Sequence, residues 1–124
     1  MRQQYVRISV VLVAFAFPLF LARSPLPQTK AQPVQIHVTA RKYMFDPDVI
    51  TVKQGDEVQL IVTAADRDHG IAIPAFGVKQ YLKKGVPTTV SFTAGKAGTF
   101  PFHCSVFCGL GHRHMKGKLI VKPD

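Results

Sequence analysis

A chain of 124 residues that is 47% hydrophobic and 19% charged has the size and composition of one folded domain around one core, which excludes an intrinsically disordered chain. Sixteen Lys and Arg against seven Asp and Glu give a net charge of +9. That excess is not a nucleic-acid footprint: no basic run exceeds two residues and no aromatic interleaving accompanies it, so no nucleic acid is expected as a partner.

Met1 to Arg7 carries Arg2 and Arg7 and is followed by the apolar run Ile8 to Ala22. A basic start before a short apolar run fits a secretory signal, and the run is short for a transmembrane helix of ~20 residues. The cleavage signals are weak. Phe20-Leu21-Ala22 places a bulky residue where a small one is preferred, and Thr29-Lys30-Ala31 is only passable. An uncleaved anchor, giving membrane attachment through residues 8–22, therefore stands beside the cleaved signal. A buried core helix is disfavoured, because Pro18 would break it and the proline-rich stretch Arg23 to Pro33 follows. Residues 1–31 are read as signal peptide or membrane anchor plus linker, and residues 32–124 as the folded domain. Both cases place the domain in the periplasm or another extracytoplasmic space, soluble or anchored to the inner membrane.

From Val34 onward the hydrophobic period is two. Val34, Ile36 and Val38 alternate with Gln35, His37 and Thr39, which predicts a strand with His37 on its wet face. Tyr43 to Phe45 leads into the turn Asp46-Pro47-Asp48. Val49 to Lys53 is a strand, and Gln54-Gly55-Asp56 predicts a hairpin into the alternating Val58, Leu60 and Val62. After the loop Ala65 to Asp68, the apolar stretch Gly70 to Ile73 runs to Pro74. Val86 to Thr93 and Thr99 to His103 follow as strands separated by turns at Gly95 and Gly98, and Gly117 to Val121 closes the domain. Seven or eight short strands with turns at this spacing predict an all-β, Greek-key β-sandwich.

Chemistry concentrates in Cys104-Ser105-Val106-Phe107-Cys108-Gly109-Leu110-Gly111-His112-Arg113-His114-Met115, which contains both cysteines in the spacing C-x3-C-x3-H-x2-M. Thiolate, imidazole and thioether together suit copper, whereas magnesium or calcium would find no carboxylate in the stretch. A disulfide between Cys104 and Cys108 would close a very small loop, stabilise little, and leave His112 and Met115 without a role. Zinc lacks the second half of a finger spacing, and methionine is a poor zinc ligand. The expectation is a copper loop.

His69 is the distant ligand candidate. It opens the apolar run Ile71, Ala72, Ile73, which predicts that its ring enters a dry wall, and one pole of a Greek-key sandwich can bring it beside the copper loop. His103 adjoins Cys104 at a strand end and is expected to face away if Cys104 faces the metal. His114 competes with His112, and spacing does not separate them.

With an upstream histidine, this loop resembles the dinuclear CuA domain of cytochrome c oxidase subunit II and of nitrous oxide reductase. Ile73-Pro74-Ala75-Phe76-Gly77-Val78-Lys79, Gly98, Phe100 and the Cys104-Ser105 entry are similar as well, so the resemblance spans about residues 43–121. It implies a cupredoxin fold in which Cys104 and Cys108 bridge two copper ions. His69 and His112 would each cap one ion, Met115 would be a weak ligand, and the backbone carbonyl of Val106 would be the sixth. Three departures accompany it. Val106 stands where the oxidase has Glu, the oxidase's two-helix membrane hairpin is replaced by one short segment, and the reductase's β-propeller is absent. Phe107 and the Met115 to Leu119 ending lean toward the reductase.

A closed copper site without general acid, base or nucleophile is built for electrons rather than bond making. The expected function is one-electron transfer from a c-type cytochrome donor to an unknown acceptor, with no catalytic site of the domain's own. Two other readings accompany it: a mononuclear blue-copper carrier with one ion and Cys104 spare, and a copper-delivery protein. Ile71, Ile73, Pro74, Phe76 and Leu110 are expected to form an apolar docking patch. The basic chain predicts a neutral or acidic donor, where the resemblance implies an acidic patch that receives a basic cytochrome.

Overall fold

The computed structural model describes residues 24–28 and 30–124; the apolar segment expected over residues 8–22 lies outside them. Among the described residues no helix is long and apolar enough to cross a membrane. The described residues form nine strands: β1 (Val34–Arg41), β2 (Met44–Asp46), β3 (Val49–Lys53), β4 (Glu57–Ala64), β5 (His69–Ile73), β6 (Val78–Leu82), β7 (Thr88–Thr93), β8 (Gly98–His103) and β9 (Lys116–Lys122). They form two sheets, in the orders β2-β1-β4-β7 and β3-β9-β8-β5-β6.

Period-two burial builds the core between the sheets. In β4, Val58, Leu60, Val62 and Ala64 are buried while their neighbours are exposed or half-buried. Phe45 of the first sheet meets Phe102 of the second edge to face, with ring centroids 5.2 Å apart. Gly117 lies against Phe102, where a Cβ would stand 2.1 Å from the ring, so the central β8–β9 pair can seat this large side chain only over a glycine. The all-β sandwich expected from the alternation is the observed architecture.

The expected hairpin at Gln54-Gly55-Asp56 is not one. β3 pairs in parallel with β9, whereas β4 pairs with β1 and β7, so this turn carries the chain from one sheet to the other. Gly55 at φ 90° supplies the sharp bend, and the Lys53 N–H donates to Asp56 Oδ2 at 2.9 Å. The local chemistry is that of a hairpin turn; the arch instead sets Ile50 and Val52 in the same core as Val58 and Leu60, from the opposite sheet. The stretch from β7 to β8 crosses between sheets in the same way.

Two strands lack a sequence signature. β2 has three residues, and β6 is an edge strand whose Lys79, Gln80 and Tyr81 are all exposed, so neither shows an alternating apolar face. Together with β8 and β9 they frame one pole. β8 ends at His103, β9 begins at Lys116, and the Cys104 N–H donates to the Met115 carbonyl at 3.0 Å, closing the loop between them at its base. Ala72 of β5 pairs with His103, which carries His69 past the end of β8 to the level of that loop.

Candidate metal centre

The loop from Cys104 to Met115 is held by its own backbone and by glycines that admit neighbours. Its second half winds through a 3-10 turn over His112–His114, with His112 N–H on the Gly109 carbonyl (3.1 Å), His114 N–H on Gly111 (2.9 Å) and Met115 N–H on His112 (3.2 Å). The Tyr43 ring packs on Gly109 and Gly111, where a Cβ on Gly111 would lie 2.3 Å from a ring carbon. On the other side, Gly70 admits Ser105 and Val106 against β5.

This scaffold gathers the expected ligand residues. The sulfurs of Cys104 and Cys108 stand 3.7 Å apart as free thiols. Nδ1 of His69 lies 3.9 Å from Cys104 Sγ, Nδ1 of His112 lies 3.6 Å from Cys108 Sγ, and Met115 Sδ lies 3.8 Å from Cys108 Sγ. The Val106 carbonyl accepts from Cys104 Sγ at 3.1 Å. Two donors on one tetrahedral ion, with bonds of about 2.0–2.3 Å, stand about 3.5–3.8 Å apart, so this set of spacings fits metal ions bound between the donors. Among the described residues, His69, Cys104 and Cys108 form the one group of three or more His, Cys and carboxylate side chains whose donor atoms all lie within 4.8 Å of one another; His112 falls outside it, beyond Cys108.

Burial tunes the centre. His69, Cys108 and Met115 have no exposed surface and Cys104 has 2%, while His112 is half-buried and reaches the protein's edge. Burial pushes the Cys108 thiol up to about 11, with the neighbouring Cys104 adding to the rise. A metal that takes this sulfur must therefore displace its proton.

His69 belongs here because β5 has period two. His69, Ile71 and Ile73 share the face turned into the core, and all three are fully buried. Its Nε2 is 2.7 Å from Asp66 Oδ1, which leaves Nδ1 to face the sulfur. Desolvation works to raise the Asp66 pKa, but hydrogen bonds from the Lys42 backbone N–H and the His69 ring overcome it and hold the carboxyl at about 2. Asp66 was not singled out from the sequence as an orienting residue; the available signal was its spacing three residues before His69.

The remaining histidines stand apart. His37 is exposed on β1, His114 is exposed on the 3-10 turn, and half-buried His103 lines the grooves beside Cys104 and His112 rather than the donor cluster. The apolar docking patch expected from Ile71, Ile73, Pro74, Phe76 and Leu110 does not form as a unit. Ile71 and Ile73 are core residues with no exposed surface, and Phe76 packs on Phe92 and Phe100 at 5.3 and 5.0 Å between ring centroids. A continuous apolar run in a strand covered on both sides reads like a surface patch only until the covering elements are known. Leu110, 97% exposed, does face solvent, and so does Phe107 at 71%.

Residues 9–121 match the family model of the cupredoxin-like domain. The chain belongs to the cupredoxin-like family. This cupredoxin is 30% identical over 95 residues to cytochrome c oxidase subunit 2 of Thermus thermophilus, covering 77% of this chain and 70% of that one. It is 32% identical to nitrous-oxide reductase of Stutzerimonas stutzeri, over 73% of this chain but only 15% of the reductase. Among solved structures, the periplasmic domain of subunit II of cytochrome oxidase from Bradyrhizobium japonicum superposes with a TM-score of 0.67 at 26% identity, covering 73% of this chain and 85% of that domain. Auracyanin A, a blue copper protein from Chloroflexus aurantiacus, shares the fold at a TM-score of 0.60 and 24% identity, over 73% of this chain and all of its own. The resemblance to cytochrome c oxidase subunit II and nitrous-oxide reductase, read from the loop, thus holds across the domain as homology.

Proposed function

We propose that this cupredoxin binds two copper ions in a CuA-type centre and passes single electrons between extracytoplasmic redox proteins. His69, Cys104, Val106 (through its carbonyl), Cys108, His112 and Met115 would hold the metal. Bound there, copper supplies a one-electron Cu(II)/Cu(I) couple.

One observation carries the dinuclear reading. The two imidazoles approach different sulfurs, His69 toward Cys104 and His112 toward Cys108, with the paired sulfurs between them. A single ion would need both rings on one sulfur's side. A two-ion site would give every donor a role, including the Val106 carbonyl beside Cys104 and Met115 beside Cys108.

The residues around the donors serve the same task. Burial excludes water from the sulfurs, the Cys104–Met115 backbone bond and the glycine contacts keep the loop in one shape, and Asp66 holds His69 in one tautomer. A donor set that does not rearrange keeps the cost of changing charge low. His112 and the exposed Phe107, with ring centroids 5.8 Å apart, form the path to the surface. A c-type cytochrome is the proposed donor, and the acceptor is a second redox protein. The periplasmic setting of the related oxidase domain supports an extracytoplasmic location, and residues 1–31 would supply export or an anchor.

Copper stoichiometry and the electron paramagnetic resonance spectrum of the copper-loaded chain test this. About two ions per chain, with hyperfine splitting from two copper nuclei, are expected. About one ion with a single-nucleus pattern and a blue colour would replace the reading with a mononuclear carrier.

A further inference from the structure

The copper loop borders three surface grooves whose walls together hold more cations than carboxylates. One runs past Lys79 and His103 to Cys104 and His112, one past His103 and His112 to Arg113 and Lys116, and one past Arg67 and Lys84 to Val106 and Phe107. All five cations are exposed. Among the described residues none of them has a carboxylate at ion-pair distance; the ion pairs found are Arg41–Asp46 and His69–Asp66.

The walls of these grooves carry five Lys and Arg side chains against two carboxylates, which keep their charge and are fixed by hydrogen bonds. Asp66 accepts from the Lys42 backbone N–H and bonds the His69 ring. Asp68 accepts from the Tyr81 hydroxyl and from the Lys84 backbone N–H at 2.8 Å, and the Tyr81 bond together with that N–H draws its carboxyl below the usual range. The same loop carries two exposed apolar side chains, Phe107 on the wall of the groove that holds Arg67 and Lys84, and Leu110 two residues beyond Cys108. Exposed apolar residues within a polar rim are the anatomy of an interaction site.

We infer that this pole is the docking face for a redox protein whose own cofactor edge is apolar and ringed by carboxylates. Phe107 and Leu110 supply the dry contact, while Arg67, Lys79, Lys84, Arg113 and Lys116 steer and orient the acidic partner. The inference rests on the electron-transfer reading for its purpose but not for its test, since docking needs no metal.

The test is binding of an acidic c-type cytochrome to the metal-free full chain, followed by calorimetry across a salt series, with a basic c-type cytochrome as counter-probe. The acidic cytochrome binds and weakens as salt rises; the basic one does not bind measurably. Lys79→Glu with Lys116→Glu weakens binding about tenfold or more, and so does Arg67→Glu with Lys84→Glu, whose positions lie outside the copper loop. Lys53→Glu with Lys122→Glu makes the same change in net charge at the opposite pole, where β3 and β9 end, and leaves binding unchanged. Equal loss in that control, or equal affinity for the basic cytochrome, overturns the inference. Tighter binding of duplex DNA or anionic phospholipid vesicles through the same cations also overturns it, in favour of a polyanion. Copper stoichiometry separates the two readings. A chain that takes copper and ignores the acidic cytochrome sinks the docking face alone, and one that binds the cytochrome but takes no copper sinks the electron-transfer reading alone.

Discussion

Asp66 Oδ1 sits 2.7 Å from His69 Nε2, and the opposite nitrogen of the same ring faces Cys104 Sγ at 3.9 Å. One carboxylate on the loop after β4 thereby decides which nitrogen of a fully buried imidazole is offered to the sulfur pair.

Asp66→Ala removes that orientation without touching a proposed ligand. Copper affinity, measured by competition with a chelator, is expected to fall about 10- to 100-fold, with Asp66→Asn losing less because its amide oxygen still accepts from the ring. Copper stoichiometry of the saturated protein stays unchanged.

Cys104→Ser separates the one-ion and two-ion centres. The hydroxyl is a poor bridge for soft copper, so the two-nucleus spectrum is lost and stoichiometry drops from about two to about one or below. Retention of metal, colour and spectrum would show that Cys104 is spare.

Copper uptake is expected to depend on pH through Cys108. Its thiol is held up to about 11, so it is protonated near neutrality and each loading event must release its proton. A pH-stat records the release, and apparent copper affinity rises with pH. The same shift has a sign for the metal-free fold. A thiol raised above its ordinary value of 9.0 contributes stability fully present below about pH 9 and lost as pH climbs toward 11. Cys108→Ser removes that part of the alkaline loss, seen as a smaller fall in Tm across the interval. Asp66 acts in the opposite direction: its depressed pKa contributes stability above its ordinary 3.8 that disappears as pH falls toward 2.

Gly111→Ala probes the support beneath the loop. Gly111 has φ −87°, which any residue adopts, so the effect is steric. Its new Cβ would overlap the Tyr43 ring, at 2.3 to 2.6 Å from three ring carbons. Thermal unfolding should show a loss of about 1–3 kcal/mol. Tyr43→Ala combined with Gly111→Ala costs less than the two changes added separately, because the overlap is gone.

By itself, the sequence determined the sandwich and pointed to most of the proposed donor set. Alternation from Val34 to Val121 is a local consequence of strand geometry, and Cys104, Cys108, His112 and Met115 fall on one short loop whose spacing is visible in a single line. Even the burial of His69 was legible, because the apolar Ile71 and Ile73 share its strand face. What only the tertiary structure decided are relationships between distant segments. The Gln54–Asp56 turn crosses between sheets rather than forming a hairpin, because strand partners depend on the packing of both sheets and not on the turn. Ile71 and Ile73 are core rather than docking surface, because β6 and β8 flank β5 in its sheet and the opposite sheet closes over its inner face. The sequence also left unstated that His69 and His112 stand beside different sulfurs, and that five cations from separate strands and loops line the grooves bordering the Cys104–Met115 loop. Ligand types are a property of the residues; their distribution about the sulfur pair is a property of the fold that brings residue 69 to residue 104.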